Sequence, residues 1–221
     1  MIRRLVLAAD FAALALPAAA QQGPSPQPGT SQGGGTMTVH LLGPITSESM
    51  AELVRAAQDA VLTGADEIQI GISSVGGKVN AARYAVNALS ALPIRVVTVA
   101  MSDVSSSAVA LFCAGERRHV APGASIYLHQ LTRFAERSRK TAAAQEREDE
   151  IVNGWYDGML ERCLADPADM AGIAEYQQRD LILDRDEAYR LGFGNAPFED
   201  LRQKRYFGRA TIVVPQALPQ Q

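Results

Sequence analysis

The sequence is poor in the residue types on which several classes of protein depend. It contains two cysteines and three histidines, and its formal net charge is only −3. Two cysteines are too few for a disulfide framework or a structural zinc site, and a weakly acidic chain offers no electrostatic basis for binding nucleic acid. Cys113 lies within an apolar run, which predicts that its side chain packs in the core.

Apolar residues, in contrast, make up 47% of the 221 residues, enough for one domain with a sizeable core. Residues 1–20 have a basic start, an apolar middle interrupted by Asp10, and small residues at the end, which predicts a signal peptide. We therefore expect a periplasmic or secreted protein; an uncleaved anchor and a cytoplasmic protein are the alternatives. Residues 21–36, rich in Gly, Pro and Gln, are predicted to form a disordered linker, followed by a folded domain at 37–200 and a tail at 201–221.

Strands and helices alternate through the first half of the folded domain. β-branched and apolar runs predict buried strands at 38–42, 67–72 and 94–101, and helical patterns separate them. This order indicates an α/β fold with parallel strands joined by right-handed crossovers. In the second half, short strands are predicted at 119–121, 125–128, 180–183 and 211–214, the last of them an edge strand. One long charged helix is predicted at 132–165, between the second and third of these strands.

Three consecutive serines, Ser105 to Ser107, separate the third predicted strand from an apolar helix. A strand-to-helix turn of this kind can present a serine hydroxyl together with the next backbone N–H. The alternative is an ordinary turn with a serine that caps the helix. Two further segments favour the chemical interpretation: Gly76-Gly77, which opens the preceding helix, and a short strand that ends at His129.

Taken together, these segments resemble the Clp protease proteolytic subunit, a serine peptidase family. The family pattern runs from a strand through Ser-Pro-Gly-Gly, a helix and Ala-Ser-Met-Gly-Ala to a strand that ends in His-Gln. This chain has Ser-Val-Gly-Gly at 74–77 and His-Gln at 129–130, and the resemblance extends over about residues 38–195. It implies the Clp/crotonase fold, with a core of repeated ββα units and a long helix that protrudes as a handle.

The resemblance implies a nucleophile at Ser106. The family's nucleophile stands at a fixed distance before an Ala-Gly pair, and Ala114-Gly115 puts it at Ser106. Because Ser107 and Ala108 replace the family's Met-Gly, Ser105 and Ser107 remain alternatives.

The resemblance also implies a base and a group that orients it. His129 corresponds to the family's general base, and Asp180 to the carboxylate that fixes the imidazole and stabilises its protonated form. Asp184 and Asp186 lie close by in the sequence and remain alternatives. His119 follows two arginines and is predicted to lie at a surface turn.

The backbone amides of Gly77 and Ser107 are implied as the donors of an oxyanion hole, since glycine lets the chain approach a substrate carbonyl closely. A double glycine before a helix could instead bind phosphate, but no P-loop sequence follows it. Lys78 adds the alternative of a Ser–Lys pair, as in the related signal peptide peptidase A.

The implied activity is that of a serine endopeptidase. It would hydrolyse peptides or unfolded proteins through an acyl-enzyme, without a metal or organic cofactor, in a homo-oligomeric ring. Members of the family work with an ATP-driven unfoldase, and an exported protein would meet neither ATP nor that partner, so we expect no ATPase partner. A catalytically inactive Clp-like scaffold and a crotonase-type acyl-CoA enzyme are the alternatives.

Overall fold

The computed structural model describes residues 34–131, 140–203, 206 and 211–213. The predicted signal peptide, nearly all of the predicted linker and the first part of the predicted handle helix lie outside these residues. The strands are β1 (Thr36–Leu42), β2 (Glu67–Ser74), β3 (Arg95–Ser105), β4 (Arg117–Val120), β5 (Ser125–Leu128), β6 (Leu181–Leu183) and β7 (Thr211–Val213). The α-helices are α1 (Ser47–Leu62), α2 (Val79–Ser90), α3 (Ser107–Cys113), α4 (Ala142–Glu161), α5 (Met170–Ile173) and α6 (Arg185–Leu191).

The described strands form one sheet in the order β6-β5-β3-β2-β1-β7, with β4 also paired with β3. Every pair is parallel except β5 with β6. Parallel neighbours need a crossover between them, which α1 and α2 supply for the first three strands. The central strand β2 is buried along nearly its whole length, as a strand covered by helices should be. The predicted α/β class and the Clp-type fold are confirmed.

Two helices, α1 and α6, begin at capping boxes. Thr46 accepts a hydrogen bond from the Ser49 amide, and the Ser49 hydroxyl accepts one from the Thr46 amide. Asp184 and Glu187 form the same reciprocal pair at the start of α6. Each box satisfies two amides that the first helical turn leaves without partners.

The long helix α4 is exposed along most of its length. Its buried residues, Tyr156, Met159 and Leu160, all lie in its last two turns. A helix predicted at 132–165 is thus confirmed for residues 142–161, while its role as a protruding handle stays a prediction. In the described part of the chain, no helix has both the length and the apolarity needed to span a membrane.

The C-terminal tail contributes to the sheet. β7 pairs in parallel with β1, where Val39, His40 and Leu41 face Thr211, Ile212 and Val213. It therefore forms an edge of the sheet, which confirms the edge strand predicted in this segment.

The sequence-based expectation for Cys113 is incomplete. Cys113, the last residue of α3, forms a disulfide with Cys163, and the two side chains are 1% and 0% exposed. The residue does pack in the core, as its apolar neighbours indicate, but its sulfur is bonded as well. Local sequence could not reveal the pair, because its members are separated by 50 positions and meet only when the end of α4 packs against α3.

The prediction that His119 lies at a surface turn is wrong. His119 lies within β4 and is fully buried, with Nδ1 2.8 Å from the carbonyl oxygen of Pro197. The arginine before it is buried too: the Arg118 guanidinium donates to the carbonyl oxygens of Gly115, Cys163, Gly192 and Phe193. Burial, with a smaller effect of Arg162, lowers the pKa of Arg118 to about 10. Arg118 thus lies at a buried junction of segments, whereas the Arg117 side chain is partly exposed and forms an ion pair with Asp200.

Reduction of the disulfide should destabilise the fold measurably. Closing a loop of this length restricts the unfolded chain, so its loss should cost about 2–4 kcal/mol in the free energy of unfolding. The measurement is a urea titration with and without reductant. The Cys113→Ala/Cys163→Ala protein is the control, and its unfolding midpoint should not respond to the reductant. Two free thiols in the unfolded, unreduced wild-type protein would contradict the pairing.

Candidate active site

The junction between β3 and α3 has an unusual backbone. β3 ends at Ser105, α3 begins at Ser107, and Ser106 between them has φ 56° and ψ −130°. Among the described residues it is the only non-glycine with a positive φ. Such a conformation costs on the order of 1–3 kcal/mol and is concentrated at functional sites. A sharp strand-to-helix turn of this kind is also how α/β hydrolases present a nucleophilic serine.

The backbone distinguishes the three consecutive serines from one another. Ser105 is the last residue of a regular strand, and Ser107 is a fully buried first residue of a helix. Ser106 is 8% exposed, much like Ser105 at 9%, but it alone of the three has the strained backbone. The local geometry therefore favours Ser106 over its two neighbours as a nucleophile.

Three hydrogen bonds from three different elements hold the Ser106 backbone. Its N–H donates to the carbonyl oxygen of Tyr127 in β5 at 2.9 Å. Its carbonyl oxygen accepts the Val109 N–H of α3 at 2.9 Å and the Tyr156 hydroxyl of α4 at 2.9 Å. Because both polar groups of the residue are fixed, the strained conformation is maintained by its surroundings.

Gly76 borders the same turn from the end of β2. It has φ 83°, and a β-carbon built on it would lie 2.6 Å from the Ser105 carbonyl oxygen, 2.7 Å from the Ser106 β-carbon and 3.1 Å from the Ser107 nitrogen. Both the positive φ and the close approach require glycine. Glycine at position 76 therefore lets the end of β2 pack directly against the turn that carries Ser106 and the Ser107 amide.

The Gly77 amide, which the sequence assigned to an oxyanion hole, has a partner in this structure. Gly77 N–H donates to the Ser107 hydroxyl at 2.9 Å, and that hydroxyl donates to the Gly77 carbonyl oxygen at 3.2 Å. Gly76 N–H donates to the Ser74 hydroxyl at 3.1 Å. For Gly77 to bind an oxyanion, the Ser107 hydroxyl must turn away from its amide.

His129 and Asp180 lie at the ends of two strands next to the serine turn. β5 pairs with β3 so that Tyr127 faces Ser105, and β6 runs antiparallel to β5 with Leu181 opposite Leu128. Continuing that register by one residue puts His129 opposite Asp180. The sheet therefore brings the ends of β3 and β5 and the start of β6 together.

The side chains of this pair are engaged by other groups. His129 Nδ1 lies 2.8 Å from the carbonyl oxygen of Gln130. The Tyr127 ring stacks on the His129 imidazole, with 5.4 Å between centroids. The Tyr127 hydroxyl faces Asp180, since a hydrogen bond to that carboxylate is the main cause, ahead of desolvation, of a raised Tyr127 pKa. Tyr127 thus contacts both the predicted base and the predicted orienting residue.

The alternative residues have other surroundings. Asp184 caps α6 through the Glu187 amide, and Asp186 is exposed in the first turn of that helix. Lys78 is exposed at the start of α2. The pKa of Glu48 is lowered mainly by hydrogen bonds to its backbone and to Thr46 and, to a lesser degree, by the Lys78 charge.

Two site contacts were not predicted from the sequence: those of Tyr127 and Tyr156. Period-two alternation along β5 puts Tyr127 on the same side as His129, so the stacking was available as a signal. Tyr156, Leu160 and Cys163 follow helical spacing, which marks Tyr156 as core-facing but does not identify Ser106 as its partner. In the described part of the chain, no group of three or more His, Cys, Asp or Glu side chains could hold a metal ion.

The fold and the site define an α/β protein with its candidate site at the carboxyl edge of a largely parallel sheet. The family model for Clp protease matches residues 36–196, from the first residue of β1 to the segment after α6. This chain therefore belongs to the Clp protease family, and membership implies a peptidase. The matched region contains Ser106, His129 and Asp180. No curated protein sequence matches the chain.

Gly76→Ala should strongly slow the reaction of the serine turn with a fluorophosphonate probe. The added methyl group would clash with backbone and fill the space beside Ser106, so labelling by a fluorophosphonate probe should slow by at least about 100-fold, as when an oxyanion donor is lost. Gly123→Ala is the matched control, because Gly123 also has a positive φ, 79°, but nothing lies near its β-position. Equal labelling rates in the two variants would contradict this role of Gly76.

Proposed function

We propose that this protein is a serine endopeptidase that hydrolyses peptides or unfolded proteins. The observation that carries the proposal is the strained backbone of Ser106 at the end of β3, next to the strand that ends before His129. Ser106 is the nucleophile, His129 the general base and Asp180 the residue that orients it. The match to the Clp protease model favours a peptidase over a crotonase-type acyl-CoA enzyme.

The reaction has two halves. The Ser106 hydroxyl attacks the scissile carbonyl while His129 takes its proton, and the tetrahedral oxyanion is stabilised by the backbone N–H groups of Gly77 and Ser107. Collapse breaks the peptide bond, and the protonated imidazole gives its proton to the leaving amine. Water, deprotonated by His129, then attacks the acyl-enzyme and releases the acid product and free Ser106.

The hydrogen bonds of the unliganded site must change before this chemistry. His129 Nδ1 has to leave the Gln130 carbonyl for Asp180. Asp180 can keep the Tyr127 hydroxyl at the same time, because a carboxylate has acceptor sites on both oxygens. Catalytic hydrogen bonds are often loose or misdirected without substrate and tighten only when it binds.

A catalytically inactive scaffold is the second candidate. It is favoured by the engagement of His129 with Gln130 and of the Gly77 amide with the Ser107 hydroxyl. If these contacts persisted with substrate present, His129 would lack its orienting carboxylate and Gly77 could not act as the second oxyanion donor.

A fluorophosphonate probe should label wild-type protein at Ser106, and Ser106→Ala should not be labelled. Ser105→Ala is the matched control and should keep its labelling. Asp180→Asn should retain the serine but lose about 10⁴-fold in kcat, since the carboxylate selects the imidazole tautomer. Mass-spectrometric mapping identifies the modified residue; labelling of Ser106→Ala as fast as wild type would refute the assignment.

We further propose that the protein acts outside the cytoplasm as a homo-oligomeric ring without an ATPase partner. The Cys113–Cys163 disulfide supports export, because disulfides persist in oxidising compartments. The predicted signal peptide points the same way. Rings that act on peptides or proteins are typical of the family, and the exposed first half of α4 provides a surface that could meet another subunit.

Expression of the full chain in a host with a periplasm tests the compartment. We expect the mature protein in the periplasmic fraction, beginning at Gln21 and with no free thiol. Deletion of residues 2–20 is the control and should keep the protein in the cytoplasm. Recovery of wild-type protein from the cytoplasm with Met1 in place would contradict export.

A further inference from the structure

The buried hydroxyl of Tyr156 has no role in the reaction as described above, yet it bonds to the nucleophile's backbone. Tyr156 is fully buried near the end of α4, and its hydroxyl donates to the Ser106 carbonyl oxygen at 2.9 Å. Within α3, the Val109 N–H already donates to this oxygen at 2.9 Å. A carbonyl with two donors is held in a defined direction.

That direction fixes a second group. The peptide unit that joins Ser106 and Ser107 is planar and trans, so its C=O and N–H point in opposite directions. When Tyr156 and Val109 hold the carbonyl oxygen on one side, the Ser107 N–H must point to the other. The Ser107 nitrogen lies close to Gly76, 3.1 Å from where a β-carbon would be.

We propose that Tyr156 is a positioning residue for the oxyanion hole. By holding the Ser106 carbonyl, its hydroxyl directs the Ser107 N–H away from that carbonyl and towards the oxyanion that forms when Ser106 attacks a substrate. This inference rests on the proposed function, because it assigns Tyr156 a task only if Ser106 forms a tetrahedral intermediate.

The links between α4 and α3 hold the Tyr156 side chain in place. Helix α3 is tied to the α4 segment at both of its ends: through Tyr156 at the Ser106 side, and through the Cys113–Cys163 disulfide at its last residue. Tyr156 and Cys163 lie on the same buried stripe, with Leu160 between them. A hydroxyl held in this way cannot follow the carbonyl if the peptide unit rotates.

The test is Tyr156→Phe, which keeps the ring and removes only the donor. We expect kcat on a peptide substrate and the rate of fluorophosphonate labelling to fall about 10-fold, less than for complete loss of a donor, with KM changed less than about 2-fold. A peptide aldehyde, which forms an oxyanion at the serine, should bind about 10-fold more weakly, and the matching peptide alcohol equally well. Tyr189→Phe is the control: its hydroxyl also donates to a buried backbone carbonyl, that of Ala196 at 2.9 Å, but away from the site, so kcat should not change.

The pair 4-aminophenylalanine and 4-methylphenylalanine at position 156 covers the case in which Y156F does not fold. Both fill the place of the hydroxyl, but only the amine can donate, so only the amine should restore kcat to within about 3-fold of wild type. Two results would overturn the role of Tyr156 and leave the proposed function intact, provided that wild type is labelled at Ser106. One is an equal kcat in the two substituted proteins of this pair. The other is an unchanged kcat and labelling rate in folded Y156F. Absence of labelling at Ser106 in wild type overturns the proposed function, and this inference with it.

Discussion

The site depends on one unfavourable backbone conformation that its neighbours maintain. Ser106 lies in a region of φ and ψ that costs on the order of 1–3 kcal/mol. Its three backbone hydrogen bonds, each worth about 0.5–1.5 kcal/mol net, supply a stabilisation of the same order. They come from β5, α3 and α4, so the conformation exists only when all three elements are packed together.

The direction of the strands explains how distant parts of the sequence meet at this turn. Parallel strands carry their carboxyl ends to one edge of a sheet, and the glycine pair, Ser106 and His129 all follow such ends. Asp180 reaches this edge differently. Because β6 runs antiparallel to β5, the start of β6 lies beside the end of β5, and Asp180 immediately precedes β6. The parallel strands bring backbone amides, a hydroxyl and an imidazole to this edge. The single antiparallel strand adds a carboxylate.

Local patterns in the sequence predicted the elements well and their partners less well. β-branched runs located the three long strands, and the alternation of strand and helix gave their parallel pairing. His119 was misplaced because a pair of arginines normally indicates a solvated turn, whereas Arg118 donates to four backbone carbonyls, three of which belong to two distant segments. No local pattern reveals those three acceptors.

In the site, too, the residues could be predicted from the sequence but most of their contacts could not. The resemblance to the family's motifs identified Ser106, His129 and Asp180 as candidates, but the hydrogen bonds they make depend on which elements pack against each other. Tyr127 bridges two of them, Tyr156 supports the third, and the Ser107 hydroxyl meets the Gly77 amide. Apart from the stacking of Tyr127 on His129, two residues further along the same segment, these contacts join residues of different elements, so only the packed structure reveals them.

The disulfide has a topological effect on the chain as well as an energetic one. The covalent loop that it closes contains β4, β5, His129 and nearly all of the α4 segment, whereas Ser106 and Asp180 lie outside it. A peptidase is exposed to nicking by its own activity and by that of its neighbours. A single break at any peptide bond between Cys113 and Cys163 would leave both fragments covalently joined, so His129 could not diffuse away from Ser106.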